Sequence, residues 1–502
     1  MPDSGSQLVE QSLEMAKRAA SDERQAFYDR MDDHYNLDLT GQIYFPQYYM
    51  ETAARYEKRP KRALPLGSSA VDVLAGAMIG DGVQVTIGDA EKHKAENEAW
   101  QEIAAANDLG GEFAMGLATQ AGLFGWTAER VIPGAEIEFE RVDPRHWEPI
   151  YNGSAMGRSK RRLSGINFVS VYDADSGQIL PRDTSIGQGS KFKRVEVISP
   201  TEWWVFLDGK PAPVDPAGAV DSDGDPIRWM PTDDGANPYG VIPVSILWNV
   251  PKPSAFEGRS DLDPGYHLAE EINRVYSQML YNLQMFFPTL TIPKDGQGAA
   301  GLDAGVGMSL EYPVEGQAPS WIVTPLDVEV FLKPLRNLLT LFFSSVHTPA
   351  SAHGLGSVFG EAKSAESGRA KFYEFNRLQQ HVLRKRASYE RFCAERWRNL
   401  AAVLRAPKPF GQAKKLAADA PVSVEWMSEI VPVSADETLD TMLKKMEKGL
   451  LSQVEGILAD RGWPDDDAHR ELAQNVINDI GAAATATRPR TALDEALAEE
   501  LV

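Results

Sequence analysis

The chain has 502 residues, of which 43% are hydrophobic and 25% charged, so it can bury more than one core and is not a disordered polymer. Its 72 Asp and Glu residues outnumber its 51 Lys and Arg residues, and the formal net charge of −21 excludes an ordinary basic protein that coats duplex DNA. The single cysteine, Cys393, excludes an internal disulfide and a zinc–thiolate cage, and it favours a reducing compartment.

The first third of the chain has a mainly helical pattern. Its first residues, MPDSGSQLVEQSLEMAKR, lack the basic start and apolar centre of a secretory signal, which predicts a cytoplasmic protein. Residues 8–62 predict two or three charged helices that end in the basic run KRPKR, which is more typical of a solvated turn than of a nucleic-acid contact. Residues 68–80 predict a helix with Ser68 or Ser69 as N-cap, and the alternating GVQVTIG that follows predicts a strand.

The next region changes from helical to strand-like spacing. Trp100 and Leu117 belong to a helical pattern that turns at Gly125 into the strand-like WTAERVIP. Residues 137–250 predict an irregular β-rich region, with strands at INFVSVYDA, FKRVEVISP, EWWVFLDG and VIPVSILWNV. The acidic run DSDGD at 221–225 lacks the Glu that a calcium loop needs at its twelfth position, where Thr232 stands, and a polar hairpin tip is favoured.

Two further helices enclose a small β segment. Helical spacing over residues 263–287 stops at Pro288, three short strands with Gly-rich turns follow, and the helical pattern resumes near Val328 with Pro334 in a first-turn or kink position. The apolar run NLLTLFFSSV has about ten residues where a membrane span needs roughly 18 to 20. It therefore predicts a helix packed on another protein surface.

The last third combines a polar segment with one long helix. After Pro349 comes SAHGLGSVFGEAKSAESG, and residues 363–405 predict a helix of about 43 residues, roughly 64 Å long. This helix is locally basic, and pairing with acidic neighbours is favoured over contact with phosphate. Residues 421–433 predict a strand, helices follow from Asp436, and residues 481–502 predict a poorly ordered tail.

The sequence motifs for catalysis, metal binding and cofactor binding are either absent or lack the neighbouring helix or strand that their function needs. Gly296, Gly298 and Gly301 match a dinucleotide-binding spacing, but the broken sequence after them cannot open the helix that would hold pyrophosphate. There is no phosphate-binding GxxxxGK[ST] loop and no HExxH pair, and Ser357 lacks the strand that a nucleophilic serine needs. No cofactor or metal is predicted, while paired catalytic carboxylates stay open.

Six sequence phrases, in four groups and a fixed order, carry a resemblance to a known family. They are NEAWQEIAAANDL with AGLFGWTAERV, then VEVISPTEWWVFLD, then YGVIPVSILWN with FEGRSDLDPGYHLAEEINRVYSQ, and last VEWMSEIVPVSADETLDTMLKKMEKGLLS. Together with the order helix, β insert, helix, polar segment and long helix, they resemble the portal proteins of tailed double-stranded DNA bacteriophages or prophages. The resemblance runs from about Tyr35 to Ile480.

The resemblance implies an α+β portal fold with an α/β wing, a two-helix stem, a small β-containing clip, a long wing helix and a short helical crown. The implied boundaries, in chain order, are wing 1–262, stem helix 263–287, clip 288–326, stem helix 327–347, tunnel loop 348–361, long helix and wing strand 362–435, crown 436–480 and flexible tail 481–502. It places Gly354, Ser357 and Phe359 in the DNA channel, with Lys363 and Arg369 as possible phosphate contacts.

The function implied by the resemblance is structural and not enzymatic. A homo-oligomeric ring of about twelve subunits would stand at one capsid vertex of the virion after assembly in the host cytoplasm. Its partners would be double-stranded DNA, the terminase large subunit, head-completion or adaptor proteins, the scaffold and the major capsid protein, without a membrane. Two alternatives stay open: a monomeric carbohydrate-active hydrolase with paired carboxylates, and another phage structural protein of the tail or baseplate.

Overall fold

The computed structural model describes most of the chain between residues 23 and 427. The described residues are 23–40, 44–47, 52–89, 91–134, 137–152, 162–180, 184, 186, 190–216, 227–252, 257–285, 289–293, 309–312, 320–322, 329–353, 368–408, 410–427, 430, 470 and 474. The chain divides into two units, residues 1–363 with 373–430, and residues 364–372 with 431–502. Apart from the first turn of the last helix, all elements below belong to the first unit. The predicted hairpin tip, the Gly296 loop and nearly all of residues 436–502 lie outside the described residues.

Helices are present wherever the described sequence predicts them. Their bounds are α1 Glu23–Asn36, α2 Ala53–Lys58, α3 Leu66–Ile79, α4 Lys94–Ala106, α5 Glu112–Phe124, α6 Tyr266–Met285, α7 Glu329–Ser345 and α8 Gly368–Arg405. The N-cap prediction for α3 is wrong: the helix begins after Pro65, without a side-chain cap, and Ser68 and Ser69 lie inside its first turn. The first residues predicted for α6 form a turn instead, since Gly265 N donates to Leu262 O over 2.8 Å.

Strands occupy the predicted β-rich region and the segment between α6 and α7, and four more lie outside both. Their bounds are β1 Val83–Ile87, β2 Trp126–Ile132, β3 Glu138–Val142, β4 Trp147–Asn152, β5 Arg162–Asp173, β6 Gln178–Leu180, β7 Lys191–Ile198, β8 Trp203–Leu207, β9 Lys210–Pro211, β10 Val244–Trp248, β11 Val250–Pro251, β12 Gly258–Arg259, β13 Thr289–Pro293, β14 Ser309–Tyr312, β15 Ser320–Ile322 and β16 Val422–Trp426. The prediction of an α+β fold is confirmed.

The strands form small sheets rather than one continuous one. A six-stranded antiparallel sheet has the order β4-β5-β7-β8-β9 with β6 on β5, and a second sheet has the order β10-β2-β3. Between α6 and α7, β13 is central, with β14 parallel on one side and β15 antiparallel on the other. β1 pairs with β16 so that Val85 faces Val424, which brings the strand after α8 back to the first part of the chain.

One large hydrophobic core joins α3, α5, β2 and the second half of α8. Four of its largest side chains are tryptophans that are at most 2% exposed, namely Trp100, Trp126, Trp147 and Trp397. Inside this core Arg396 Nε donates to Glu129 Oε1 over 2.8 Å, and a second bond from the same guanidinium completes a bidentate pair that is fully buried on both sides. This pair joins α8 to β2, and removing one partner would leave an isolated buried charge.

Among the described residues, none of the helices has the length and apolar character that crossing a lipid bilayer requires. The same part of the chain contains no cluster of three or more His, Cys, Asp or Glu side chains placed to hold a metal ion.

Candidate functional site

The candidate site is the junction where α7 ends and the polar segment before α8 begins. The last turn of α7 closes through Val346 N to Phe342 O and Thr348 N to Phe343 O, both 3.0 Å. Between them His347 takes a left-handed conformation with φ +64°, as residues just after a helix end often do. A short 3₁₀ turn, Ala350–His353, then leads to residue 354. The start of the segment predicted to enter a channel is therefore held by side chains of the junction.

His353 is the main anchor of this turn. Its Nδ1 lies 2.6 Å from Ser69 Oγ on α3, and its Nε2 lies 2.9 Å from Thr348 Oγ1. The ring also stacks on Phe343, with ring centroids 4.3 Å apart. Burial lowers the pKa of His353 to about 4, so the imidazole is neutral near pH 7. A neutral ring has one donor and one acceptor nitrogen, and it can therefore satisfy both hydroxyls at once.

The Ser69–His353 pair does not form a hydrolytic centre. A catalytic serine relies on a histidine whose second nitrogen faces a carboxylate, which stabilises the imidazolium that forms during the reaction. Here the second nitrogen faces the hydroxyl of Thr348, and burial disfavours the charged ring. The arrangement can hold the chain in place, but its second histidine nitrogen does not face a carboxylate that would stabilise an imidazolium.

A buried carboxylate, Asp261, lies beneath the same junction. Its Oδ2 accepts from Lys385 Nζ over 2.7 Å, and its Oδ1 is 2.9 Å from His381 Nε2 and 2.7 Å from Asn249 Nδ2. Burial alone would raise the pKa of Asp261, but the Lys385 ammonium and the His381 hydrogen bond outweigh it and lower the pKa to about 2. Gly122 makes room for this group, because a Cβ there would stand 2.7 Å from Asp261 Oδ2.

The two anchors are linked through a pair of histidine rings. The ring of His347 lies 4.8 Å from that of His381, centroid to centroid. Burial lowers the pKa of His347, and the neighbouring His381 adds to the effect. Beside them lies a cavity of about 200 Å³ between α7 and α8, into which Arg377 reaches to donate to Ser344 Oγ over 2.7 Å.

The predicted site residues lie mostly beyond what the structure describes. Gly354, Ser357, Phe359 and Lys363 are outside the described residues, and Arg369 lies in the first turn of α8, where only the backbone is described. Their role in a channel stays a prediction. No local sequence signal indicates the two anchors, because Ser69 and His353 are 284 positions apart and Asp261 and Lys385 are 124 apart.

The basic residues of the long helix divide into two groups. In the buried group, the predicted pairing with acids is confirmed for Lys385 and Arg396, whereas Arg386 donates to the backbone oxygens of Met78 and Ala77. Two further buried carboxylates have cationic partners: Glu196 is held by Arg130 and Arg194, and Glu270 by Arg30. Of the seven acids that are buried among the described residues, Glu129, Glu196, Asp261 and Glu270 are thus held in ion pairs. The exposed arginines of α8 form the second group.

Comparisons with known proteins give a distant structural likeness only. No protein-family model matches the chain, and no curated protein matches its sequence. Among solved structures, it is similar to a chain in the neck of an empty gene transfer agent (GTA) particle computed with C6 symmetry, at 14% identity and a TM-score of 0.43, over 80% of this chain and 90% of that one. A chain in the neck of the native particle computed with C12 symmetry gives 13% identity and a TM-score of 0.39, with the same coverage. TM-scores this low carry no argument about fold or function.

Proposed function

We propose that this chain is the subunit of a phage portal, a ring of about twelve copies through which double-stranded DNA enters and leaves a capsid. The observation that carries the proposal is the order of elements after residue 265: α6, a three-stranded sheet, α7, a polar segment and the long helix α8. The same order supports the sequence resemblance. In this proposal α6 and α7 are the stem, β13 to β15 belong to the clip, and residues 348–361 line the channel.

The outer face of α7 supports the formation of a ring. Val330 is 61% exposed and Leu341 56% exposed, although both are large apolar residues on a helix that ends at a buried junction. Phe331 and Leu338 are only partly buried against the core. Covering exposed apolar side chains with a neighbouring copy stabilises the assembly by roughly 25 cal/mol for each Å² of apolar surface removed from water. Identical copies placed side by side can cover them.

The net charge of −21 fits a conduit better than a binding protein. DNA must slide through a portal, and a negative protein surface repels phosphate weakly instead of gripping it. In this proposal Gly354, Ser357 and Phe359 face the moving DNA, with Lys363 and Arg369 as phosphate contacts. The clip binds the terminase large subunit, and head-completion proteins, the scaffold and the major capsid protein bind elsewhere on the ring.

Mass photometry of the purified full chain tests this function. The expected species has about twelve times the subunit mass of 55.2 kDa. Substituting Leu341→Asp should convert the ring to single subunits, while the control Ile179→Asp, at a residue that is 52% exposed on β6, should leave the mass unchanged. A wild-type species of one subunit mass, with no central opening in electron micrographs, would refute the portal and favour the monomeric hydrolase. A large species without a central opening would favour another structural protein of the phage particle.

A further inference from the structure

An arginine stands at every seventh position along the described part of α8. These are Arg377, Arg384, Arg391, Arg398 and Arg405, and the side chains of all five are exposed. Seven residues make almost two helical turns, so the arginines follow one another at about 10.5 Å and the row is about 42 Å long. We call this row the arginine stripe.

The stripe has almost no partners within its own chain. In the part of the chain that the structure describes, the side chains of Arg384, Arg391 and Arg405 form no hydrogen bond or ion pair. Arg377 donates to Ser344 Oγ, and Arg398 acts electrostatically on the half-buried Glu395. By contrast, the buried Lys385 and Arg396 of the same helix are each paired with an acid, and the buried Arg386 donates to the backbone oxygens of Met78 and Ala77. The exposed arginines without an acid partner therefore lie in one row on the outer face of α8.

The surroundings of the stripe allow a close approach. Gln380, Ala387 and Ala394 follow the same seven-residue spacing along one side of the stripe. Two of the three are alanines, whose short side chains project little from the helix surface. Seven residues fall about 20° short of two full turns, so the stripe winds slowly in the left-handed sense that a packed helix follows. An elongated acidic partner, such as the side of another helix, fits this shape.

An acidic surface of this kind lies on α4 and the turn after it. Glu98 and Glu102 are exposed on the outer face of α4, and Asp108 and Glu112 are exposed just beyond its end. We call these four residues the α4 acidic face. Lys94 lies at the beginning of this face, and its Nζ is 3.7 Å from a carboxylate oxygen of Glu98. Residues 95–112, which contain the other three acids, include no lysine or arginine.

The two surfaces cannot meet within one chain. The guanidinium of Arg396 on α8 lies 5.9 Å from the ring centroid of Trp100 on α4, so the two helices turn their buried sides toward each other. On a helix with 3.6 residues per turn, Arg391 and Arg398 lie about 140° and 160° around α8 from Arg396. The stripe therefore points away from α4.

The acids on α4 are turned away in the same manner. Glu98 and Glu102 each stand two residues from the buried Trp100, which places them about 160° around the helix on its outer face. A positive surface on one side of a molecule and a negative surface on the opposite side are what a head-to-tail contact between identical copies requires, and such contacts close into rings.

We propose that the arginine stripe of one copy docks on the α4 acidic face of the next copy. This inference rests on the proposed ring and names the surfaces that close it. A second copy is favoured over DNA because a chain with a net charge of −21 repels a polyanion at a distance, whereas the same surplus supplies each copy with an acidic face. Rows of opposite charge would also fix the register between neighbours.

Charge reversal in the full chain tests the contact. The variant Arg391→Glu with Arg398→Glu should reduce the fraction of ring seen by mass photometry at least about tenfold, because like charges then face each other. Adding Glu98→Arg and Glu102→Arg to the same chain should restore the ring. The control Lys210→Glu with Lys415→Glu changes the net charge equally at two exposed lysines outside the stripe, and it should leave the ring intact.

A cross-link provides a measurement that does not depend on the reversed variant folding. The chain's own cysteine, Cys393, is buried, so Arg398→Cys combined with Glu102→Cys introduces the two accessible thiols. Oxidation should give covalent multimers on a denaturing gel, while either single substitution should stop at dimers or monomers. Because the two positions point in opposite directions on one chain, the multimers report contact between copies.

Each other outcome overturns the inference in a distinguishable way. A wild-type chain that is monomeric removes the proposed ring itself. A wild-type ring that survives the Arg391→Glu and Arg398→Glu changes leaves the portal standing and removes the stripe as its contact, as does failure of the α4 reversal to restore assembly. Fluorescence anisotropy with a labelled duplex covers the remaining case: if the stripe variant stays a ring and loses DNA binding, the arginines contact phosphate instead.

Discussion

Lys385 Nζ lies 2.7 Å from Asp261 Oδ2, and this buried ion pair joins two residues that are 124 positions apart. Asp261 stands a few residues before α6, and Lys385 stands in the middle of α8. Because His381 on α8 contacts both Asp261 and His347, the same group also reaches the end of α7. The start of α6, the end of α7 and the middle of α8 are thus joined by one buried polar cluster.

Replacing Lys385 by Met should destabilise the protein strongly. The substitution leaves the Asp261 carboxylate buried with His381 and Asn249 as its remaining hydrogen-bond partners, and removing one member of a buried pair costs about 3 to 5 kcal/mol. Urea unfolding at pH 7 measures the change in the free energy of unfolding. The double variant Lys385→Met with Asp261→Asn should recover part of the loss, because it removes the unpaired charge.

An exposed pair gives the matched control. Lys61 and Glu57 are 3.9 Å apart, and Glu57 is 74% exposed. Glu57→Gln should change the free energy of unfolding by less than about 1 kcal/mol, because water screens such pairs. Equal effects of Lys385→Met and Glu57→Gln would mean that the Asp261 cluster is open to solvent.

Two glycines inside helices should respond to alanine with opposite signs. A Cβ at Gly76 in α3 would meet nothing within 4 Å, whereas a Cβ at Gly122 in α5 would stand 2.7 Å from Asp261 Oδ2, which Lys385 holds in place. Gly76→Ala should therefore stabilise the protein by about 0.5 to 1 kcal/mol, since alanine loses less backbone entropy in a helix. Gly122→Ala should destabilise it by about 1 to 3 kcal/mol through overpacking.

Thermal unfolding of the two alanine variants, with the wild type measured in parallel, checks both signs. If Gly122→Ala were as stable as Gly76→Ala, the carboxylate of Asp261 would have to move without loss, and the anchor would be less rigid than its hydrogen bonds indicate.

The elements of this fold could be predicted from sequence wherever one local pattern determines them. The apolar spacing of α6, the proline at position 288 and the three short runs before α7 are properties of neighbouring residues, and the structure has a helix, strands and a helix there. The end of α8 at Arg405 could be predicted for the same reason, because Pro407 cannot continue a helix.

Contacts between distant residues could not be predicted. Nothing in GVQVTIG specifies that β1 pairs with β16, more than 300 positions later. Ser69 has the side chain of an N-cap and a suitable position near the start of a helix, yet its hydroxyl bonds to His353. The arginines of α8 are visible in the sequence at their constant spacing, but only the packing of Arg396 against Glu129 shows which side of the helix is left to solvent.

Glu395 should make the protein less stable as the pH rises. Burial raises the pKa of this half-buried carboxyl to about 7, against an ordinary value of 4.5, although Arg398 opposes the shift. The native state therefore binds more protons than the unfolded state between these two values, and stability falls as pH increases across that interval. The full shift corresponds to about 3 kcal/mol, which partial exposure reduces to about 1 to 2.

Glu395→Gln should remove this dependence, since the amide is never charged and keeps an oxygen that can accept from the backbone of Ile246. Urea unfolding at pH 5 and pH 8 measures the effect, and the variant should exceed the wild type at pH 8 by about 1 to 2 kcal/mol. Glu390→Gln, at an exposed position of the same helix, is the control. An equal change in the free energy of unfolding between pH 5 and pH 8 for the wild type and for Glu395→Gln would show that the carboxyl is hydrated at both pH values.

His353 should act in the opposite pH direction. Burial lowers its pKa to about 4 from an ordinary 6.5, so the native state binds fewer protons than the unfolded state between these values. Stability is then complete above pH 6.5 and is lost as the pH falls toward 4, by an amount of about 1 to 3 kcal/mol. Since burial disfavours the charged ring, the 3₁₀ turn that His353 holds should loosen from α3 first.

Hydrogen exchange of the peptide that contains residues 350–353 reports this loosening directly. In the wild type, exchange should be slow at pH 7 and, after correction for the intrinsic rate, several-fold faster at pH 5. His353→Gln should exchange faster at pH 7, because it loses the Phe343 stacking, and its corrected rate should no longer depend on pH. His267→Gln replaces a histidine that is 71% exposed, and it should behave as the wild type does. A His353→Gln variant that kept the full acid response would place the titrating group elsewhere in the junction, with the nearby His347 and His381 as the next histidines to replace.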